Sequence, residues 1–151
     1  MAETQASEFK RTRLMEFAET DMAGIVHFAN FFRFMEETEH AFFRSLGLTV
    51  HGHEGESVFG WVRVRATCDY TYPARYQDQV EIHLRVLEMG SKSMRYQCTF
   101  QAVDDAGTPS GPQIARGELT IVHVRKEPSA ERLRAAPMPA EVTRLIAAAG
   151  D

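Results

Sequence analysis

The feature that most constrains the fold is one long aromatic-rich stretch with helical periodicity. Large apolar side chains recur at spacings of three and four between residues 28 and 46, and charged residues fill the other positions. This periodicity predicts an amphipathic helix with one broad apolar face. A face of this size has to be covered by a large apolar surface. It consists of Phe28, Phe31, Phe32, Met35, Phe42, Phe43 and Leu46.

Four predicted strands beyond residue 58 can supply that surface. Apolar and polar residues alternate over residues 58–73, 80–90, 94–102 and 114–124, which is typical of half-buried strands. In the first of these strands, we expect the apolar side chains to share one face. They are Val62, Val64, Ala66, Cys68, Tyr70 and Tyr72.

Turn signals separate these elements. A glycine after Leu46 predicts a helix stop, and the short link over residues 90–92 predicts a hairpin. Residues 104–112 are rich in Asp, Gly and Pro and read as a turn. Residues 9–17 form a further predicted strand, with Phe9, Met15 and Phe17 on one face. Residues 137–151 form a predicted C-terminal helix, and residues 1–7 a flexible tail.

Both periodicities are satisfied if an antiparallel sheet of about five strands wraps around the single long helix. The predicted fold class is therefore α+β. The 151 residues are one domain's worth of chain, and no internal repeat or second domain is visible, so residues 1–151 are expected to form a single domain.

Composition excludes several classes of function. The formal net charge is −4, so the chain has no excess of basic residues of the kind that binds nucleic acid. No apolar run approaches membrane-span length, and the N-terminus lacks the pattern of a signal peptide, so we expect a cytoplasmic protein without a membrane partner. The two cysteines, Cys68 and Cys98, are expected to be free buried thiols.

One polar stretch could be imagined as a metal site. Residues 49–57 bring together His51, His53, Glu54 and Glu56. No cysteine and no further ordered ligand set accompanies them, and such residues usually form a solvated loop. We therefore expect a connecting loop there, and no metal or other cofactor.

A lone acid ahead of the long helix is the candidate for chemistry. Asp21 precedes a glycine turn and the apolar pair Ile25 and Val26, and only then does the helical pattern begin. The first N–H groups of a helix have no partner within it and attract anions. A carboxylate beside such groups suits acyl transfer, where one group attacks or activates water and the other holds the oxyanion. A cap or turn residue is the alternative interpretation of Asp21.

Two motifs resemble those of the hotdog-fold acyl-CoA thioesterases of the 4-hydroxybenzoyl-CoA thioesterase type. The first places an Asp, a Gly, two apolar residues, a small residue and an Asn at fixed spacings, as residues 21–30 do here. The second is an aromatic residue and a Pro-Ala-Arg sequence before an acid, matched by residues 72–78. The resemblance covers roughly residues 8–126, judged as a pattern match.

This resemblance implies a hotdog fold and a thioester hydrolase that acts on acyl-CoA, with acyl carrier protein as an alternative carrier. Asp21 corresponds to the family's catalytic carboxylate, acting as nucleophile or general base. The backbone N–H of Phe28 corresponds to the oxyanion donor on the first turn of the helix. The family needs no cofactor, and its members form homodimers, often homotetramers, with the active site across the dimer interface.

Further site residues follow from the same resemblance. The turn and the amides that face the substrate come from Gly24, Ile25, Val26 and His27, and Asn30 is interpreted as orienting the loop through backbone groups. The nucleotide end of the substrate is expected near Ser91, Lys92 and Ser93, with Arg95 as an additional candidate. Phe59 or Trp61 of a facing subunit could line the acyl slot.

Several alternatives remain open at this point. Many relatives have Tyr-His where this chain has His27 and Phe28, so His27 could be catalytic or merely pack at the end of the loop. A second type of thioesterase would use an acid on the helix, Glu36, Glu37 or Glu39, although such acids usually form the solvent face. A non-catalytic acyl-CoA-binding module on the same fold is the third alternative.

Overall fold

One antiparallel sheet and one long helix account for most of residues 4–150, the part of the chain that the computed structural model describes. The elements in chain order are β1 (Glu8–Leu14), a 3-10 turn (Phe17–Glu19), α1 (Asn30–Ser45), β2 (His51–Glu54), β3 (Ser57–Tyr70), β4 (Gln79–Met89), β5 (Ser93–Val103), β6 (Pro109–Lys126), β7 (Arg134–Ala135) and α2 (Ala140–Leu145).

Within the described residues, the strands form one sheet in the order β1-β4-β5-β6-β3-β2, with short β7 paired to β6. All of these pairs are antiparallel. The sheet thus has five long strands, as predicted, and two short ones that the sequence pattern did not indicate. Because neighbouring strands are antiparallel, the start of β4 and the ends of β3 and β5 lie at the same end of the sheet.

The core lies between α1 and the concave face of the sheet. The side chains of Phe31, Phe34 and Phe42 are almost fully buried, and Phe31 packs edge to face on Phe100 of β5 with ring centroids 5.1 Å apart. Burying each such ring contributes about 1.5–3 kcal/mol. Phe28 was predicted to belong to this apolar face, and that was wrong. It precedes the helix, and its side chain is 60% exposed.

The helix ends in the glycine stop that the sequence predicts. The N–H of Leu48 donates to the carbonyl of Phe43 over 2.9 Å, and the N–H of Gly47 donates to that of Arg44 over 3.0 Å. These are the two bonds of a Schellman motif. Gly47 adopts φ +74°, a left-handed conformation that glycine reaches without the steric cost of a Cβ.

Replacing Gly47 with Ala should therefore lower the free energy of unfolding by about 1 kcal/mol. The cost is conformational, since no atom lies within 4 Å of the position where the new Cβ would be. Urea denaturation followed by circular dichroism measures it. Gly111→Ala is the matched control, since Gly111 also has open space and no positive φ. Equal stability of the two variants would contradict the prediction.

A bulge in β3 corrects the face predicted for that strand. The register with β6 shifts between Arg63 and Arg65, so one extra residue is accommodated at Val64. Because side chains alternate along a strand, the bulge exchanges the faces. Ahead of the bulge Trp61 points inward, and beyond it Cys68 does, while Val64 is 59% exposed. The expected single face from Val62 to Tyr72 was wrong.

The polar stretch after the helix is also more ordered than predicted. Residues 51–54 form β2, which pairs with the beginning of β3, so this segment is a hairpin and not a loop. His51 and His53 stack edge to face with centroids 5.7 Å apart, and Glu54 pairs with Arg125. Across residues 4–150, no group of three or more His, Cys, Asp or Glu side chains could hold a metal ion.

Both ends of the described chain are tied together. The N–H of Ala6 donates to the carbonyl of Leu145, and the N–H of Ala147 donates to the carbonyl of Ala6. Residues 6 and 7 were predicted to belong to a flexible tail, but they are held to the rest of the fold. Residues 1–3 and 151 lie outside the described part. The C-terminal helix is shorter than predicted, although Val142 and Ile146 are buried.

Two further boundaries differ from prediction. β1 stops at residue 14, and Phe17 lies in the 3-10 turn with 75% of its side chain exposed. β6 begins at residue 109, within the segment predicted as a turn.

The hairpin at residues 90–92 is confirmed by the Gly90 N–H that donates to the carbonyl of Ser93. Cys68 and Cys98 are both free thiols, as predicted, but only Cys98 is buried and Cys68 is half-buried. Within residues 4–150, no helix combines the length and apolar character needed to cross a membrane.

Candidate active site

The loop ahead of α1 rests on the buried residue Glu19. Its carboxylate accepts hydrogen bonds from the Arg13 guanidinium at 2.6 Å and from the Glu16 N–H at 2.9 Å. Burial alone would raise the pKa of Glu19, but these two donors outweigh it and the pKa is lowered. Arg13 also bonds to Glu37 of α1, so the turn is attached to the helix.

The backbone of Glu19 holds the far end of the same loop. Its carbonyl accepts hydrogen bonds from the His27 N–H and from the Asn30 side-chain amide, each over 2.9 Å. Asn30 thus supports the loop through a backbone group, the kind of contact expected for it. On the other side, the Val26 N–H donates to the carbonyl of Ala74 at 2.8 Å, which ties the loop to the segment ahead of β4.

Asp21 heads a tight turn between these anchors. Its Oδ1 accepts the Ala23 N–H over 2.8 Å, and its carbonyl accepts the N–H of Gly24, which has φ +79°. Oδ2 accepts no hydrogen bond from any group in residues 4–150. The residue is half-buried. Asp21 is therefore a turn residue, as the alternative interpretation holds, but one carboxylate oxygen remains available for chemistry.

The Phe28 amide lies at the entrance to the helix. Residues 28 and 29 form a turn, and α1 begins at Asn30, so Phe28 precedes the first helical turn on which it was predicted. Among the described residues, no acceptor bonds to its N–H. An unpaired N–H beside a helix N-terminus is a favourable place for a negatively charged oxygen. His27 is exposed, and its ring lies against that of Phe28 with centroids 4.7 Å apart.

Two clefts meet at Asp21. One has a volume of about 560 Å³ and a mainly apolar and aromatic lining. The other has a volume of about 800 Å³ and is more open, with Glu19, His27 and Asn30 among its lining residues. The first is lined by Asp21, Ile25, Val26, Phe28, Phe31, Tyr70, Thr71, Tyr72, Pro73 and Ala74.

The residues predicted to bind the nucleotide end of the substrate lie at the end of the sheet that is opposite to Asp21 within one copy of the chain. The Lys92 carbonyl accepts the His123 N–H, and the Ser91 carbonyl accepts the Met138 N–H, near the end of β6. β5 runs from Ser93 at that end to Val103 at the Asp21 end, a span of roughly 30 Å. One copy of the chain therefore does not bring residues 91–95 to Asp21.

Phe59 and Trp61 are equally remote from Asp21 within one chain. Both line a separate cleft of about 290 Å³ between β3 and the middle of α1. Trp61 is 8% exposed and packs on Phe43 and His123, with ring centroids 5.9 and 5.1 Å away. Neither side chain lines the clefts that meet at Asp21 within one copy of the chain.

The three acids on α1 were predicted to form a solvent face, but they do not. Glu39 is fully buried and pairs with Arg63 of β3, and Glu37 pairs with Arg13. Burial raises the pKa of Glu39 to about 7, although the Arg63 charge lowers it. Glu36 is the most exposed of the three acids, and it also lies 3.6 Å from Arg63.

Sequence reasoning missed Tyr70 as a site residue. The periodicity of β3 placed it among the apolar strand residues, but its hydroxyl donates to the Phe28 carbonyl over 2.9 Å. It also lines the aromatic cleft beside Asp21. Its position two residues before the second motif was a usable signal, because that motif contacts the Asp21 loop through Ala74.

Comparisons with known proteins indicate one family. The profile of the thioesterase-like superfamily matches residues 15–146. An unconfirmed esterase of Aquifex aeolicus is 35% identical over 91 residues, which are 60% of this chain and 67% of that protein.

Solved structures are similar over nearly the whole chain. A substituted 4-hydroxybenzoyl-CoA thioesterase, solved in complex with 4-hydroxybenzoyl-CoA, has a TM-score of 0.78 and 23% identity over 94% of this chain and 100% of its own. A gentisyl-coenzyme A thioesterase has a TM-score of 0.70 and 25% identity over 89% of this chain and 99% of its own.

Proposed function

This chain belongs to the thioesterase-like superfamily and is a thioester hydrolase, and from this premise we propose that it cleaves acyl-CoA thioesters at Asp21. The hotdog fold predicted from the sequence is confirmed by the structural matches. The observation that carries the proposal is the meeting of three features. These are a carboxylate with one free oxygen, an unpaired N–H at the helix entrance, and an aromatic-lined cleft between them.

The chemistry requires only these groups. In the proposed mechanism the thioester oxygen accepts the Phe28 N–H, which stabilises the negative charge that develops on it. Asp21 either removes a proton from water as the water attacks the carbonyl carbon, or attacks that carbon itself to form an anhydride that water then opens. Either way the C–S bond breaks, the thiolate leaves with the electron pair, and the products are a carboxylic acid and free CoA.

The acyl group is proposed to occupy the aromatic cleft. Phe31 and Tyr70 stand edge to face there, with ring centroids 5.3 Å apart, and Phe28 contributes a third ring. Such a lining favours an aromatic or a short to medium acyl group. The 4-hydroxybenzoyl-CoA and gentisyl-CoA thioesterases among the similar structures agree with an aromatic acyl group.

A second copy of the chain is proposed to complete the site. β3 pairs with β2 only over Ser57–Gly60, so among the described strands its edge from Trp61 to Tyr70 has no partner on that side. An unpaired edge of this length invites pairing with another strand. In an antiparallel two-fold pair, the Trp61 end of one copy lies opposite the Tyr70 end of the other. This geometry supports a homodimer in which Phe59 and Trp61 face the other copy's cleft; a homotetramer stays a prediction.

Hydrolysis of a matched pair of thioesters tests the proposal. We expect turnover of benzoyl-CoA, with release of free thiol, and a KM about threefold to tenfold lower than for cyclohexanecarbonyl-CoA. The two rings are similar in size, and an aromatic pair contributes about 0.5–1.5 kcal/mol beyond its buried area. Thiol release is followed with a chromogenic disulfide reagent. If benzoyl-CoA, hexanoyl-CoA and palmitoyl-CoA are all bound but not hydrolysed, the proposal is wrong.

A further inference from the structure

The peptide that follows Phe28 is held by two side chains: the Tyr70 hydroxyl bonds to its carbonyl, and its Ala29 N–H donates to His27 Nδ1 over a longer 3.4 Å. Tyr70 donates to the Phe28 carbonyl over 2.9 Å, across 42 positions of sequence. The only other donor to that carbonyl in residues 4–150 is the Phe31 N–H, over a longer 3.3 Å. Of the two donors to this carbonyl, the tyrosine is therefore the nearer and the only one that comes from another element of the fold.

Tyr70 is itself well fixed. It pairs with Ala115 at the end of β3, and the following residue, Thr71, donates from both its N–H and its hydroxyl to carbonyls of β6. Its ring stands edge to face on Phe28 and on Phe31, with centroids 6.4 and 5.3 Å away. The hydroxyl thus links the last residue of β3 to the turn at residues 28 and 29.

The chemistry of the hydroxyl suits a permanent donor. Burial raises the pKa of Tyr70 well above its ordinary value, and the neighbouring Cys68 adds to the shift. The group therefore remains protonated at every pH where a carboxylate could act on a thioester. A protonated phenol can donate to the carbonyl continuously, without competing for the proton that moves during hydrolysis.

We propose that Tyr70 is a positioning residue: by holding the Phe28 carbonyl it restricts rotation of the Phe28 backbone, and so keeps the Phe28 N–H, which lies in the preceding peptide, directed at the thioester oxygen. This inference rests on the proposed function, because the N–H matters only if an oxyanion forms there. Oxyanion donors act through their fixed geometry, and removing one donor completely costs about 10²- to 10³-fold in kcat. Loosening a donor without removing it should cost a part of that, about tenfold.

The test is Tyr70→Phe, which keeps the ring and its packing and removes only the hydroxyl. We expect kcat for benzoyl-CoA to fall about tenfold while KM changes less than twofold. NMR order parameters of the amides at residues 27–29 should fall as well, because the peptide loses its attachment to the sheet. Tyr76→Phe makes the same chemical change at an exposed residue outside both clefts, and we expect it to leave kcat and the order parameters unchanged.

The outcomes separate the two proposals. If the wild type hydrolyses benzoyl-CoA and Tyr70→Phe matches it in kcat and in order parameters, the positioning role is overturned. A rise in KM with constant kcat would overturn it too, since Tyr70 would then bind the acyl group. If the wild type hydrolyses no thioester, the proposed function fails, and the positioning of the peptide is then decided by the order parameters alone.

Discussion

Replacing Asp21 with Asn should lower kcat for acyl-CoA hydrolysis by roughly 10²- to 10⁴-fold, the range lost with a general base or nucleophile. An amide can neither take a proton from water nor attack a carbonyl. The Asn oxygen can still accept the Ala23 N–H that Asp21 Oδ1 accepts over 2.8 Å, so the turn should keep its shape. KM and the thermal midpoint should change little. Steady-state thiol release and a melting curve measure both effects.

Glu36→Gln separates Asp21 from the alternative of a catalytic acid on the helix. Glu36 is the most accessible of the three acids, whereas Glu37 and Glu39 are engaged by Arg13 and Arg63. We expect Glu36→Gln to retain the wild-type kcat. The assignment of Asp21 is wrong if Asp21→Asn keeps full activity, and a large loss in Glu36→Gln would favour the acid on the helix instead.

The second large effect concerns stability. Arg63→Met should lower the free energy of unfolding by about 3 kcal/mol at pH 8, because it leaves the fully buried Glu39 carboxylate without its ionic partner. The neighbouring Tyr96 hydroxyl lowers the pKa of Glu39 only in part, and Glu39 Oε1 has no hydrogen-bond partner among the described residues. Urea denaturation at constant pH measures the loss.

The cost of Arg63→Met should depend on pH. With a pKa of about 7 in the folded protein, against about 4.3 in an unfolded chain, Glu39 is neutral at pH 5 and mainly charged at pH 8. The raised folded pKa means that Glu39 favours folding most below pH 4.3 and loses that contribution as pH rises toward 7. Removing Arg63 raises the pKa further, so the substitution should cost about 1.4 kcal/mol more at pH 8 than at pH 5.

A double variant controls for the loss of packing. Glu39→Met combined with Arg63→Met removes both charges, and apolar replacement of a whole buried pair is often neutral or stabilising. We therefore expect the double variant to be more stable than Arg63→Met at pH 8, and to show no pH dependence from this site. A double variant that is less stable than Arg63→Met would contradict this account of the pair.

Local patterns were enough to predict the main elements of the fold. The helix, the alternation within β4 and β5 and the glycine stop at Gly47 all arise from residues close together in the chain, where periodicity and φ preferences act directly. The bulge at Val64 was not predictable in this way. It depends on how β3 pairs with a strand that lies some sixty residues later, and the composition of β3 carries no mark of it.

In the candidate site, too, local contacts could be predicted from the sequence and contacts between distant elements could not. The turn at Asp21 and Gly24 was predictable from sequence, because these residues interact through neighbouring backbone, and the catalytic role of Asp21 stays a prediction that rests on the family motif. Only the tertiary structure decided that Glu39 is buried on Arg63 and that Tyr70 reaches the Phe28 carbonyl. These contacts join residues from different elements, so their energies depend on packing in three dimensions, which the periodicity of a single segment does not contain.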